Sequence, residues 1–197
     1  MNIIDLIQSF DLYVLNAIHK AFSGSFSDVF WKIITWFGED GLFWIGLSLL
    51  LLIPKKTRKW GGAMFLAICV GYVVGNVILK NAVGRIRPYD VNQLFPLTVE
   101  HLSDYSFPSG HTMAAMGAAI ALLYENKKAG IPAVILGVLI MYSRLHLYVH
   151  YPSDVLGGAI VALFSSLAGF IMCELIAKFL IDLKNEKAGA KQAPAGE

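Results

Sequence analysis

The chain has 197 residues, 56% of them hydrophobic and only 15% charged, with a formal net charge of +2. With a mean hydropathy of +0.61, this composition excludes an ordinary soluble domain and points to an integral membrane protein. The small, dispersed charge also excludes nucleic acid as a partner.

In chain order, residues 3–22 place Ile3, Ile4, Leu6, Ile7, Phe10, Leu12, Val14, Leu15 and Ile18 mostly on one helical face, which predicts an amphipathic or interfacial helix. Asp5, Gln8, Asp11, His19 and Lys20 interrupt that run and no basic region precedes an apolar core. No cleavable signal peptide is therefore expected, and the mature chain is expected to start at Met1. The GSFSD turn at 24–28 closes this helix, and 29–37, with Trp31, Trp36 and Phe37, suits a membrane interface. Residues 41–53 are apolar and can extend to Arg58 because basic stems snorkel. A helix follows over 60–82, then a polar stretch from Asn81 to Gly110, then helices near 111–124, 131–147 and 155–181. The windows 60–79 and 155–181 are long enough to cross ~30 Å of hydrocarbon. Continuous apolar runs also exclude the alternating pattern of a barrel.

The expected fold is therefore all-α, an integral membrane bundle of about six transmembrane helices behind an N-terminal amphipathic helix. It forms one domain over 1–184, with a disordered cytoplasmic tail over 185–197 that is rich in Ala, Gly, Lys and Glu. No period of 20 to 50 residues repeats. Cys69 and Cys173 fall inside apolar helices and read as packing residues rather than a disulfide or metal site.

The basic residues set a topology. Lys55, Lys56, Arg58 and Lys59, then Lys127 and Lys128, then Lys184, Lys187 and Lys191 fall on one side by alternation, which the positive-inside rule makes cytoplasmic. The same alternation places Asn81–Gly110 and His146–Asp154 together on the opposite face. Lys80, Arg85, Arg87 and Arg144 then lie where basic residues are scarce, and this requires a reason.

Three clusters occupy that face. In LKNAVGRIRPY, Lys80 and Arg87 are seven residues apart, so both point one way if the helix continues, and Pro88 stops it. Two fixed cations suit a phosphate, a planar fork from Arg87 and a compact charge from Lys80; an ordinary basic helix end touching headgroups is the alternative. In YSFPSGHTMAA, Ser109, Gly110 and His111 open a helix, where backbone N–H groups favour an anion and His111 can give a proton to a leaving oxygen. Alternatively, Ser109 is a helix cap and His111 an interfacial side chain.

In SRLHLYVHYPSD, Asp154 is four residues after His150 and can reach back to its imidazole. A carboxylate on one ring nitrogen leaves the other as a nucleophile; the alternative is a structural ion pair. Arg144 can meet the same anion. His146 has no evident partner and reads as packing or lipid contact. Tyr89, Tyr105 and Phe107 either line a lipid's entrance or anchor the interface.

Lys80 with Arg87–Pro88, then Pro108–Ser109–Gly110–His111, then Ser143–Arg144 with His150 and Asp154, resembles the three-part signature of the type 2 phosphatidic acid phosphatase superfamily over about residues 41–175. The resemblance implies that His150 attacks phosphorus in line, Asp154 orients it and His111 protonates the leaving group. Lys80, Arg87, Ser109, Gly110 and Arg144 would hold the phosphate oxygens. It implies no metal and no other cofactor, since fixed cations take that part, and no acidic cluster has metal-ligand spacing. The partners expected are membrane lipids and a lipid phosphate or diphosphate. The favoured expectation is a hydrolase of a bacterial cytoplasmic membrane resembling polyprenyl diphosphate phosphatases that recycle the undecaprenyl carrier, with the site facing outward. A phosphatidylglycerophosphate or phosphatidic acid phosphatase, a lipid phosphotransferase and a non-enzymatic lipid-phosphate binder are the alternatives. The haloperoxidase branch of the superfamily is soluble and fits poorly.

Overall fold

The computed structural model describes residues 3–95 and 97–192, and every regular element among them is helical. Helices α1 (Ile3–Phe22) and α2 (Ser25–Trp36) lead through a 3-10 turn at Glu39–Gly41 into α3 (Leu42–Leu52). Next, α4 (Arg58–Gly71) continues through a π-helical stretch (Tyr72–Leu79) into the single turn of α5 (Lys80–Val83), and the short α6 (Pro88–Val91) opens the polar loop. Then come α7 (Gly110–Glu125), α8 (Lys127–His146) and α9 (Pro152–Gln192). Among the described residues, four stretches are long and apolar enough to cross a membrane: Ser25–Leu52, Arg58–Val91, Lys127–His146 and Pro152–Lys187.

The 16 residues of α7 form the central post, about 24 Å long, packed by α4, α8 and α9. Ala115, Ala118, Ala119 and Ala121 are fully buried along it. Lipid is as apolar as leucine, so helices in a bilayer are held by close packing, and small side chains permit it. Large apolar side chains such as Ile131, Ile135, Leu156, Ile160 and Phe164 face outward, where hydrocarbon takes the place of water. One end of the bundle holds the turns at Ile53–Thr57 and Asn126, with Lys59 bonded to Glu174 at 2.8 Å. The other end holds the beginnings of α7 and α9 and the ends of α5 and α8.

Several expectations change. The turn after α1 is shorter than GSFSD suggests: α2 already starts at Ser25, after an extended Gly24. Lys80 and Arg87 do not share a continuing helix. The helix ends at Val83, Gly84 takes a left-handed conformation at φ 60°, and Arg87 is extended. Pro88 accordingly starts α6 rather than stopping a helix, because a first-turn proline has no N–H to satisfy. At the other terminus α9 runs to Gln192, through the first part of the stretch that composition marks as disordered tail. Ala, Lys, Glu and Gln there are good helix formers; residues 193–197 lie outside the described residues.

The helix α1 is amphipathic, as its pattern predicts, but the faces are arranged for a membrane protein. Ile3, Ile4, Leu6, Ile7, Phe10 and Tyr13 are exposed, while Asp11, Leu15 and His19 are buried. Its polar stripe is turned into the protein, toward the end that carries the three clusters.

The reversal at Gly84 carries both Arg85 and Arg87 into place. An added methyl there meets nothing closer than the Tyr105 ring at 3.8 Å, so the cost of a side chain is backbone strain alone. Gly84→Ala should lower stability by about 1–2 kcal/mol, read as a lower thermal midpoint in detergent, and Gly84→Asn should recover part of it, since Asn tolerates this conformation.

Candidate active site

Each of the three clusters reaches the same place through a different local device. The π-helical stretch (Tyr72–Leu79) rotates the end of the long helix, and Gly75 within it lies so close to Met113 that a Cβ would collide with the thioether. That approach sets Asn76 and Lys80 beside the start of α7. Ser109 caps α7, accepting from the Thr112 hydroxyl at 3.1 Å. Between α8 and α9, Tyr148 takes φ 61°, uncommon for a bulky residue. Its hydroxyl is fixed by Asn16 at 2.6 Å and Asn92 at 2.8 Å. The reversal returns His150 over the end of the bundle.

A cavity of about 1050 Å³ results, lined by Lys80, Arg87, Gly110, His111, Arg144 and His150. It extends along α4 and the π stretch past Asn76, Val73, Tyr72, Cys69, Ile68 and Phe65. Charge thus sits at one end of the space and apolar wall at the other. Two expected site residues do not line it: Ser109 is turned into its cap, and Asp154 stands behind His150. Of the three aromatics suggested for an entrance, only Tyr105 lines the cavity. Tyr89 bonds the Leu102 carbonyl at 3.0 Å, and Phe107 packs on Gly157.

His150 is buried, with Nδ1 facing Asp154 Oδ2 at 3.6 Å and the Ser106 hydroxyl at 3.4 Å. Ser106 in turn donates to Asp154 Oδ2 at 2.5 Å, and the Tyr151 amide donates to it at 2.8 Å. Nε2 is left toward the cavity, 3.4 Å from Arg87 Nη1. Burial, reinforced by the nearby charges of Arg87 and Arg144, pushes the imidazole down to about 3 against the pull of Asp154. The ring is therefore held in its neutral form at physiological pH, with Nε2 free to face the cavity.

The cations are fixed before any ligand arrives. Arg87 donates to the carbonyls of Asp104 and Val149, each at 2.9 Å, so it ties the two loops together. Arg144 is buried and bonds the Thr35 hydroxyl at 2.5 Å. Its buried Nε has no partner among the described residues, and an unpaired buried donor beside a cavity calls for an acceptor. His111 faces Glu39 at 3.3 Å.

Sequence reasoning missed Asp104, which bridges Lys80 and, at 2.5 Å, Arg87. Burial works against its charge, but the bonds from Lys80 and Arg87 outweigh it and bring the carboxyl down to about 2. It also missed Asn76, Ser106 and Glu39, none of which stands at a telling spacing. His146, for which no partner was evident, is paired with Asp28 at 2.9 Å and near Ser27. The partner lies on α2, 118 residues away, beyond the reach of local spacing.

An all-helical bundle of membrane-spanning character thus gathers two histidines and three cations around one cavity that is charged at one end and apolar along the other. The sequence model of the PAP2 superfamily matches residues 60–178, and the chain belongs to this family. It is 38% identical over 117 residues to an undecaprenyl-diphosphatase of Sulfolobus acidocaldarius, covering 58% of this chain and 56% of that protein. The chain thus spans little more than half the length of that relative. A decaprenylphosphoryl-5-phosphoribose phosphatase of Mycobacterium tuberculosis is 33% identical over 144 residues, 68% of this chain and 76% of the relative. Among solved structures, the transmembrane PAP2-type phosphatidylglycerolphosphate phosphatase of Bacillus subtilis superposes with a TM-score of 0.66 at 28% identity, over 88% of this chain and 87% of that one.

The Asp104 carboxylate occupies the space between two cations that an incoming phosphate would claim. Asp104→Asn should therefore tighten inorganic phosphate binding by about 3- to 10-fold, measured by titrating the thermal midpoint with phosphate.

Proposed function

We propose that the protein hydrolyses the phosphate of a membrane lipid through a phosphohistidine, and that its substrate is a polyprenyl diphosphate of the undecaprenyl type. The observation that carries this is the single cavity in which Lys80, Arg87, Arg144, His111 and His150 meet at one end of an apolar groove. From Lys80 to Phe65 the groove follows about 22 Å of helix, enough for a long chain to lie along while its head group enters the charged end.

His150 Nε2 attacks the terminal phosphorus as the bond to the leaving oxygen breaks. Asp154 and Ser106 hold the opposite ring nitrogen and balance the charge that the imidazole acquires. Lys80, Arg87 and Arg144, with the Gly110 amide at the start of α7, take up the charge on the equatorial oxygens, the dominant contribution in phosphoryl transfer. Ser109 orders those amides by capping the helix. His111 gives the leaving oxygen its proton, releasing the lipid monophosphate from a diphosphate, and then takes a proton from the water that splits the phosphohistidine. Burial and the charge of Arg144 push the free imidazole of His111 down to about 4 against the pull of Glu39 at 3.3 Å. The proton it gives is therefore taken up together with the anionic substrate, whose charge offsets that of Arg144.

Loop charges support a cytoplasmic membrane location with the site on the extracytoplasmic face, where Lys55 to Lys59 and Lys127 and Lys128 lie opposite it. Likeness to the Bacillus structure over 88% of the chain favours phosphatidylglycerophosphate as the second substrate to try.

Purified protein in detergent with EDTA should release inorganic phosphate from undecaprenyl diphosphate faster than from phosphatidylglycerophosphate or phosphatidic acid. His150→Ala should lower kcat by more than about 10³-fold and His111→Ala by about 10²- to 10⁴-fold. Release only when a lipid or sugar acceptor is supplied would make the protein a phosphotransferase. For orientation, a cysteine at the exposed Leu94 should react with an impermeant thiol reagent in whole cells; reaction confined to inverted vesicles would reverse the assignment.

A further inference from the structure

A buried polar network links α1 to the nucleophile. Asp11 and Asp154 are both almost wholly buried, and neither is exposed enough for water to balance its charge. Arg85 lies between them, Nη1 on Asp154 Oδ1 and Nη2 on Asp11 Oδ2, each at 2.6 Å. The other hydrogens on Nη2 and Nη1 go to Gln8 at 2.7 Å and to the Ser153 hydroxyl at 2.6 Å. The carboxylate of Asp11 also accepts from the Ser153 amide at 3.0 Å and from the Ser153 hydroxyl. The guanidinium is stacked 3.9 Å over the Tyr151 ring, which adds a cation–π contact. Asp154 is thus held on one oxygen by Arg85 and on the other by Ser106 and the Tyr151 amide.

None of Arg85, Asp11, Gln8 or Ser153 lines the cavity, so none of them is placed to touch a phosphate held there. Their common target is Asp154 or the turn that carries it. Asp11 lies on α1, ahead of residues 60–178, to which the family model extends.

Resting on His150 as the nucleophile and Asp154 as its orienter, we propose that Asp11 and Arg85 are positioning residues. Together they make α1 a working part of the catalytic unit rather than a membrane anchor alone. Arg85 carries no direct contact to phosphate. It fixes the angle and charge of Asp154, and Asp11 supplies the second anion that keeps Arg85 from drawing Asp154 away from the imidazole. Without Asp11, the whole attraction of Arg85 falls on Asp154; without Arg85, two carboxylates face each other in a dry site.

The test is steady-state hydrolysis of the lipid phosphate substrate by full-length protein in detergent, with His150→Ala as the reference. Asp11→Asn and Arg85→Gln should each lower kcat by about 10- to 100-fold while KM and the competitive constant of inorganic phosphate stay within about twofold. Arg85→Lys, which keeps the charge but reaches one carboxylate at a time, should fall between wild type and Arg85→Gln. The double variant Asp11→Asn with Arg85→Gln should be no slower than Arg85→Gln alone, because both act through one group. If a charge variant cannot be purified folded, Ser153→Ala removes contacts to both residues without changing charge and should lower kcat several-fold at constant KM. Wild-type kcat in Asp11→Asn, a KM that rises in step with the loss, or multiplicative losses in the double variant would each overturn the proposal. Full turnover by His150→Ala would instead overturn the phosphohistidine reading on which it rests.

Discussion

Charge balance among buried and half-buried side chains governs this structure. At one end of a bundle set in hydrocarbon, Lys80, Arg85, Arg87 and Arg144 are gathered with Asp11, Asp104, Asp154 and Glu39. An isolated charge there would cost several kcal/mol even after relaxation. Arg85 is balanced by Asp11 and Asp154, and Lys80 and Arg87 share Asp104. Arg144 alone among them is answered chiefly by a hydroxyl, with Nε unpaired. The balance is complete where rigidity is wanted and incomplete where a ligand must enter.

Much of the fold follows from meeting that constraint. The loop after α6 must double back so that Asp104 reaches two cations, and Arg87 holds it there through the backbone of both loops. Helix α1 must turn its polar stripe inward, and α2 supplies Thr35 to Arg144 and Asp28 to His146. The two N-terminal helices therefore complete the charged end while their apolar faces look to lipid. The alanine-rich α7 is the rigid reference for all of this, carrying His111 at its first turn and packing against three long helices.

The long apolar runs, and the six of the eight expected site residues that meet around one cavity, stood out in the sequence because each rests on local composition or fixed spacing. The way in which Lys80 and Arg87 converge did not. Seven residues are close to two helical turns, but a left-handed Gly84 does the work instead, and glycine permits that conformation without announcing it. The inward side of α1 was hidden for a different reason. Periodicity reveals two faces, but in a bilayer the apolar face can look outward, so the pattern alone does not say which face is buried. The partners Asp28, Asp11 and Asp104 are single carboxylates brought from distant segments, and no spacing marks them.

The proposed phosphoryl transfer rests on His150 Nε2 as the nucleophile toward phosphorus. The most direct measurement is a single turnover with lipid substrate labelled in its terminal phosphate, quenched in base, where phosphohistidine survives, followed by peptide mapping. The account predicts label on His150, appearing before free phosphate and absent from His150→Ala. Label on another residue, or full phosphate release with His150 never labelled, would contradict it.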